Sequence, residues 1–489
     1  MGSCLNGKET DHELSHLKLL SSLIPSEERE RIFLLNSYNH AFKGFSAMLM
    51  KHLLYLVYGP SHQVSAIVVL AKSHHNGKEF VWEVLISTSP IAIGARFYSN
   101  QEFSTERNKT SPAATRGFPR DFVGHGTHTA SIAGGVHTKA SYYGLAQGIA
   151  RGGLPSARIA SYKACTLEGC EGSLILKAID DAIIDGIDII SISIGASSIL
   201  QSDFLSDPIA IGAFHAEQKG VAVVCSGGND GPDPYTIVNS APWIFTIAAS
   251  SIDRSAINFS PLKLGKRYPL AFGEQVAASF TSASDARNCI PGSLDTRKVA
   301  GKIVVCVNDE PTVSRKIKKL VVEDSRAKGV IIIDGEGESS YDSPFDSGTY
   351  PFSEVEATMG SKILHYINST MYPTATILPS AEIIKSKPAP VVASFSSRGP
   401  GGLTENILKP DIMAPGVVIL AAIVSNQIES YYGAPGNKSS LFGIKSGTSM
   451  ACPHVTGAMA FIKSVHFEWS FSMIKSALMT TCEYFLGYI

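Results

Sequence analysis

Short apolar runs and helix-length amphipathic stretches alternate along the chain from residue 91 to about residue 260. The runs ARIASYKA, GIDIISISIG, GVAVVCSGG and IFTIAAS are rich in Ile and Val and nearly continuous in apolar character. Between them GSLILKAIDDAIIDG and DPIAIGAFHAEQKG repeat apolar residues at helical spacing. This order predicts an α/β fold in which a largely parallel sheet is buried on both faces by helices. Residues 262–388 break the rhythm with their own strands at KIVVCV and GVIIID and polar turns between them, which predicts an inserted domain. The α/β pattern returns at VVASFSSRGP and runs through LKPDIMAPGVVILAA to SGTSMACPHVTGAMAFIKSVH. Residues 91–261 and 389–489 are therefore expected to share one sheet.

Upstream the pattern differs. Leu14, Leu17, Leu20 and Leu23 stand among charges and predict an amphipathic helix ending near Pro25. The alternation in FLLNSYNHAFKGFSAML, with Gly44 at a turn, predicts strands of a small α+β unit within residues 1–50. Residues 51–90 hold apolar, β-prone text (VSAIVVLA, FVWEVLI) that carries no chemical motif.

A chain of 489 residues has room for two or more domains, and 44% hydrophobic against 17% charged residues, with 43 Gly and 25 Pro, fits a large globular α/β protein. The net charge of −1 provides no basic field for nucleic acid or an anionic membrane. No apolar stretch reaches the roughly 18 residues of a membrane span. Neither partner is expected. The eight cysteines lack the close paired spacing of a zinc site, so no metal is expected. Cys165 and Cys170 in CTLEGC either close a small loop in an oxidising compartment or stand as two free, small hydrophobic residues. Sequons at Asn108, Asn258, Asn368 and Asn437 favour the secretory route. The polar start MGSCLNGKETDHELSHLK has no apolar h-region of a signal peptide, and its Met-Gly opening lacks the myristoylation motif because Asn6 stands where Ser or Thr is needed.

Three segments carry chemistry. GHGTHTASIAGG, residues 124–135, sets His125 at the start of a small-residue helix, where an imidazole can take a serine proton if a carboxylate holds its other nitrogen. His128 is expected to pack. SGTSMACPHVTGAMA, residues 446–460, sets Ser449 at the opening of a second small-residue helix, where backbone N–H groups favour developing negative charge. The structural alternative is that Ser449 is only an N-cap, and Pro453 within the first turn fits both readings. VAVVCSGGNDGP presents Asn229 in a glycine-rich turn, where its amide can donate to an oxyanion, a contact worth about 3 kcal/mol of barrier.

HGTHTA, SGGNDGP and GTSMACPHV together resemble the signature blocks of the subtilase family, in its plant-type branch, over most of residues 91–482. The resemblance implies a subtilisin-like sheet and a serine endopeptidase working through a Ser449 acyl-enzyme, with His125 as general base and Asn229 in the oxyanion hole. It places Ser193, Ile194 and Gly195 on the strand that pairs with a protein or peptide substrate. Residues 262–388 resemble the protease-associated domain of this branch, and residues 1–50 resemble part of an inhibitory propeptide. No organic cofactor is implied, calcium has no readable site, and the family points to the cell exterior. Oligomeric state is not implied.

The family triad runs Asp, His, Ser along the chain. Upstream of His125 stand only Asp11, in the propeptide-like segment, and Asp121, inside the histidine block. No apolar-apolar-Asp-Thr-Gly strand occurs in residues 51–120, and Glu83 in FVWEVLI is the acid in a strand-like run there. Loss of such a carboxylate lowers kcat roughly 3 × 10⁴-fold in subtilisin. A central strand is thus expected to be missing unless VSAIVVLA or FVWEVLI fills its place. The text stops at TTCEYFLGYI, before the β-sandwich that the resemblance leads one to expect. Three readings stay open: an endopeptidase, a non-catalytic peptide-binding relative, and a chain that forms no functional unit.

Overall fold

The computed structural model describes residues 32–38, 44–49, 57–58, 67–71, 92–99, 119–121, 123–142, 145–166, 169–200, 202–257, 264–309, 313–334, 350–378, 381–384, 388–424 and 441–481. The helix expected before Pro25, the run FVWEVLI with Glu83, and three of the four sequons lie outside them; Asn368 is described.

In chain order the first part contributes β1 (Ile67–Ala71), β2 (Ala92–Phe97), β3 (Arg158–Lys163), β4 (Ile189–Ile192), β5 (Ala222–Ser226) and β6 (Phe245–Ser250). Its helices are α1 (His125–Gly134), α2 (Gly172–Ile184) and α3 (Pro208–Gln218). The middle contributes β7 (Tyr268–Phe272), β8 (Ile303–Asn308), β9 (Gly329–Asp334), β10 (Phe352–Val355) and β11 (Thr374–Ala375), with α4 (Arg315–Asp324) and α5 (Ala357–Ser369). The last part contributes β12 (Ile412–Pro415), β13 (Ile419–Ala422), β14 (Phe442–Lys445), α6 (Thr448–Val465) and α7 (Phe471–Thr480).

Strands from the first and last parts form one seven-stranded sheet in the order β12-β6-β5-β4-β1-β3-β2. The neighbours β12, β6, β5 and β4 are mutually parallel, as are β3 and β2. Between β4 and β3 sits β1, antiparallel to both, with Ile67 opposite Tyr162 and Val68 opposite Ser191. The expected gap is therefore closed by residues 67–71 of the VSAIVVLA run, running against their neighbours, which satisfies backbone groups on both sides.

Period-two alternation divides the strand side chains between two cores. Ile190, Ile192, Val223 and Cys225 pack with α2 and α3; Ile189, Ala222 and Val224 pack with α6 and α7. Three polar side chains reinforce this. Arg96 on β2 donates to both oxygens of Asp185 at 3.0 and 2.7 Å, Tyr162 on β3 donates to the same carboxylate at 2.7 Å, and Tyr98 donates to Asp181 at 2.8 Å. These bonds fasten the sheet edge to the end of α2.

The middle part forms a separate five-stranded sheet, β10-β9-β8-β7-β11, parallel except for β11, with an apolar cluster on each face. The strands that lead in and out, Arg254–Ile257 and Ala381–Ile384, pair antiparallel, so the chain leaves and re-enters the first body side by side. A disulfide, Cys289–Cys306, ties this unit; Cys165–Cys170 closes the hairpin before α2. The latter is the closed-loop alternative seen in the sequence. Near the N-terminus, Ile32–Tyr38 and Gly44–Leu49 form an antiparallel pair, as their alternation predicts, and the first strand lies against α2.

Candidate active site

The start of α6 is held from three directions. Gly447 N–H donates to Gly416 O at 2.8 Å, and Gly416 N–H donates to Ser250 O at 2.9 Å, so the turn before the helix hangs from the end of the sheet. Helix N-termini leave N–H groups without intrahelical acceptors. Here the acceptor comes from a distant loop: Asn229 Oδ1 takes both the N–H and the Oγ1–H of Thr448, each at 2.9 Å. With its oxygen engaged twice, the amide has one orientation, and Nδ2 borders the Gly447 turn, 3.5 Å from where a Cβ on that glycine would sit.

Ser449 is the second residue of α6 and Gly447 is the cap, which corrects the reading of Ser449 as a mere N-cap. Its hydroxyl donates to Ser193 O at 3.4 Å and is buried, the residue being 6% exposed. Pro453 is the sixth residue of the helix, beyond the first turn where the sequence reading placed it. That shift matters chemically. Proline has no N–H, so the carbonyl four residues earlier, that of Ser449, loses its intrahelical donor. Ser193 Oγ replaces it, donating to Ser449 O at 2.8 Å. Ser193, Ile194 and Gly195 thus continue β4 directly past the serine; the Ile194 carbonyl accepts from Asn239 Nδ2 at 2.9 Å. Deeper along α6, Thr456 donates to Ser191 at 2.9 Å and the buried Cys452 thiol donates to Val224 O at 3.4 Å. Burial raises the Cys452 pKa to about 11, so this thiol stays protonated.

The start of α1 is built differently. Gly124 precedes it at φ 82°, a left-handed conformation, and a Cβ there would lie 2.7 Å from Ile423 Cγ1. Asp121 accepts from Val123 N at 3.0 Å, Gly124 N at 2.8 Å, Thr127 N at 2.7 Å and Thr127 Oγ1 at 2.8 Å. Both its oxygens serve the turn and the first helical residues, which makes Asp121 a capping carboxylate. His125, 1% exposed, opens the helix. Burial and then the nearby Lys445 cation push its pKa down to about 3, keeping the imidazole neutral.

His128 packs, as expected, but also bonds: its Nε2 lies 3.1 Å from Ile419 O and 3.2 Å from Gly443 O, clamping the β13–β14 hairpin to α1. Its pKa is likewise lowered to about 3, first by burial and next by Lys445. Helices α1 and α6 approach closely because their contact lacks side chains: a Cβ on Gly457 would lie 2.8 Å from both Ala133 O and Gly153 Cα. The small residues of both motif blocks therefore have a packing reason.

The structure brings Asn229, Ser449 and Ser193–Gly195 to one end of the sheet and sets His125 on the adjoining helix. The strand beside them, β1, enters from the same end, and its sequence, IVVLA, holds no Asp or Glu. A cavity of about 810 Å³ runs along the other flank of α1, lined by Thr127, Ala130, Ile159, Ser161 and Lys163 among others, and by none of Asn229, Ser193 or Ser449. Sequence reasoning missed Thr448, the Ser193 hydroxyl and the His128 clamp. The proline four residues after Ser449 was the available signal for the second.

Residues 9–486 match the subtilase family. The chain is 44% identical over 409 residues to the "CO(2)-response secreted protease" of Arabidopsis thaliana, covering 80% of this chain and 51% of that protein. It is also 44% identical over 409 residues to "Subtilisin-like protease SBT5.1" of the same plant, covering 80% of this chain and 50% of that one. The chain thus spans about half the length of the curated relatives it matches. Among solved structures it is similar to Sphericase, with 19% identity, a TM-score of 0.36, and coverage of 74% of this chain and 70% of that one.

Proposed function

Because the chain belongs to the subtilase family, we propose that it acts as a serine-type endopeptidase, with Ser449 as nucleophile, His125 as general base and then acid, and Asn229 as oxyanion donor. The observation that carries this reading is the arrangement at the start of α6. Asn229 Oδ1 is anchored by two donors from Thr448, so Nδ2, which borders the Gly447 turn leading into Ser449, is the atom offered to a substrate oxygen. In the proposed reaction the Ser449 oxygen bonds to the substrate carbonyl carbon and its proton passes to the neutral His125. The carbonyl oxygen gathers charge against Nδ2 and the N-terminal end of α6. Return of the proton to the leaving amine frees the first product, and water releases the second.

The substrate is a protein or peptide in extended form. Ser193, Ile194 and Gly195 continue β4 beyond its last pairing residue, and a substrate strand could add there. By the family's pattern, residues 262–388 are a protease-associated domain and residues 1–50 part of an inhibitory propeptide. The relative named a secreted protease, together with the two disulfides, supports an extracellular location.

A second reading rests on a specific observation: β1, next to the site, runs antiparallel and brings no carboxylate, and Asp121 is occupied with capping. On that reading the cleft binds peptides without cutting them. Labelling purified, folded protein with a fluorophosphonate probe, with Ser449→Ala as control, separates the two. A probe adduct on Ser449 supports the endopeptidase; peptide binding unchanged by Ser449→Ala, with no adduct and no cleavage, supports the binding protein.

A further inference from the structure

Resting on the reading of Ser449 as nucleophile, we propose that the Ser193 hydroxyl is a positioning residue of the reaction: it holds the peptide unit of Ser449 against the strand on which an extended substrate would lie. Two hydrogen bonds bracket the nucleophile. On its N-terminal side Asn229 Oδ1 accepts from the Thr448 N–H at 2.9 Å, and on its C-terminal side Ser193 Oγ donates to the Ser449 carbonyl at 2.8 Å. Inside a helix that carbonyl is ordinarily held by the N–H four residues on, but the residue there is Pro453, which has none. The peptide plane that follows the nucleophile is therefore set from β4. The backbone that carries the Ser449 side chain is fixed on both sides by groups outside its own helix.

Such a bond positions its partner only if the donor is itself held. Ser193 is buried and follows Ile192, the last residue of β4 paired with β5. The next carbonyl along, Ile194 O, accepts from Asn239 Nδ2 at 2.9 Å, and the same nitrogen donates to Ser226 O, at the end of β5, at 2.8 Å. Asn239 stands at φ 52°, in the left-handed region, where Thr246 Oγ1 donates to its carbonyl at 2.7 Å. The continuation of β4 is thus tied to its neighbour beyond the ladder. Attack is sensitive to displacements of about 1 Å, and here one piece of backbone sets both the serine and the proposed substrate strand. The molecule also holds the matching contact with no nucleophile in it. Two residues back on the same strand, the buried Ser191 Oγ accepts from Thr456 of α6 at 2.9 Å, about two helical turns beyond Ser449.

The test compares Ser193→Ala, Ser193→Thr, Ser193→Cys and Ser191→Ala in the full chain, each checked for a cooperative melt. Fluorophosphonate labelling of Ser449 is resolved into affinity for the probe and the maximal rate of bond formation. Ser193→Ala is expected to lower the maximal rate about tenfold with affinity unchanged. Ser193→Thr, which keeps the hydroxyl, is expected to restore the rate, and Ser193→Cys, a weaker donor, to fall between. Ser191→Ala is expected to melt earlier, as Ser193→Ala does, yet to label at the unaltered rate. Equal rates in Ser193→Ala and the unaltered chain would overturn the proposal. So would equal slowing by Ser191→Ala, which would reduce Ser193 to one more contact between helix and sheet. If Ser193→Ala does not fold, the other two variants decide, since labelling as fast in Ser193→Cys as in Ser193→Thr would overturn it too. A folded, unaltered chain that never labels sinks the reading of Ser449 as nucleophile and takes the proposal with it, whereas a chain that labels regardless of residue 193 sinks the proposal alone.

Discussion

The N-termini of α6 and α1 carry the same kind of motif, a glycine, a functional side chain and a run of small residues, yet they are furnished in opposite ways. At α6 every support comes from the surrounding sheet: Asn229 from the loop after β5, Ser193 from the end of β4, Gly416 from the end of β12. At α1 the carboxylate of the motif, Asp121, is spent on its own turn, and burial, ahead of the Lys445 cation, keeps His125 neutral. The serine half is thus preorganised by strands that are present. The strand between β3 and β4 is β1, whose sequence, IVVLA, holds no carboxylate. Preorganisation of one half does not confer it on the other.

The contrast can be broken or sharpened experimentally. The largest effect is expected from Asn229→Ala, which removes the proposed oxyanion donor: the rate of Ser449 labelling falls by about 10²–10³, on the order of 3–4 kcal/mol of barrier. An unchanged rate would mean that the α6 end is not the organised half. Next, Gly457→Val forces a side chain into the contact with Ala133 and Gly153. Overpacking there is expected to lower stability by about 1–3 kcal/mol in denaturant titration, and to slow labelling because the two helices part.

Acid should act most strongly at the α1 end, since the His454 imidazole of α6 is lowered too, by burial, but less far. His125 and His128 have pKa values near 3 in the fold, below the ordinary 6.5, so the unfolded chain binds the extra protons. Their contribution is complete above pH 6.5 and is lost as pH falls towards 3, at up to about 1.4 kcal/mol per pH unit for each ring. Hydrogen exchange is expected to rise first in α1 and the β13–β14 hairpin, before α6. The middle sheet goes the other way. Burial raises the Glu354 carboxyl to about 8 despite Arg315, so the fold binds the extra proton and stability declines as pH rises from about 4.5 to 8. The smallest effect belongs to Asp121→Ala, which removes the α1 cap: a loss of about 1 kcal/mol in thermal melts. Labelling in that variant should stay within a few-fold of the unaltered chain, because the carboxylate bonds to backbone and Thr127 rather than to the imidazole.

Much of this was readable in the sequence for physical reasons. Strands buried on both faces must be continuously apolar, so β3 to β6 stood out; that the small residues of the histidine and serine blocks let two helices meet emerged only in the fold. Direction was not readable: VSAIVVLA has the composition of a buried strand but nothing in it distinguishes parallel from antiparallel entry. Cys289 and Cys306, 17 residues apart, carry no spacing signal, and their pairing shows only in the fold, where Cys306 lies on β8. The link from Ser193 to the Ser449 carbonyl depended on where α6 begins, since a proline frees a carbonyl only four residues back inside a helix.

The reversed strand β1 has a bearing on how such proteins are recognised. A vacancy in a sheet is filled by any extended backbone, whichever way it points, since hydrogen-bonding capacity is the same from both ends. Folding therefore tolerates a replacement that chemistry does not, because a reacting group must arrive at one end of one strand. Secretion checkpoints, protease resistance and melting curves all sense the first property and are blind to the second.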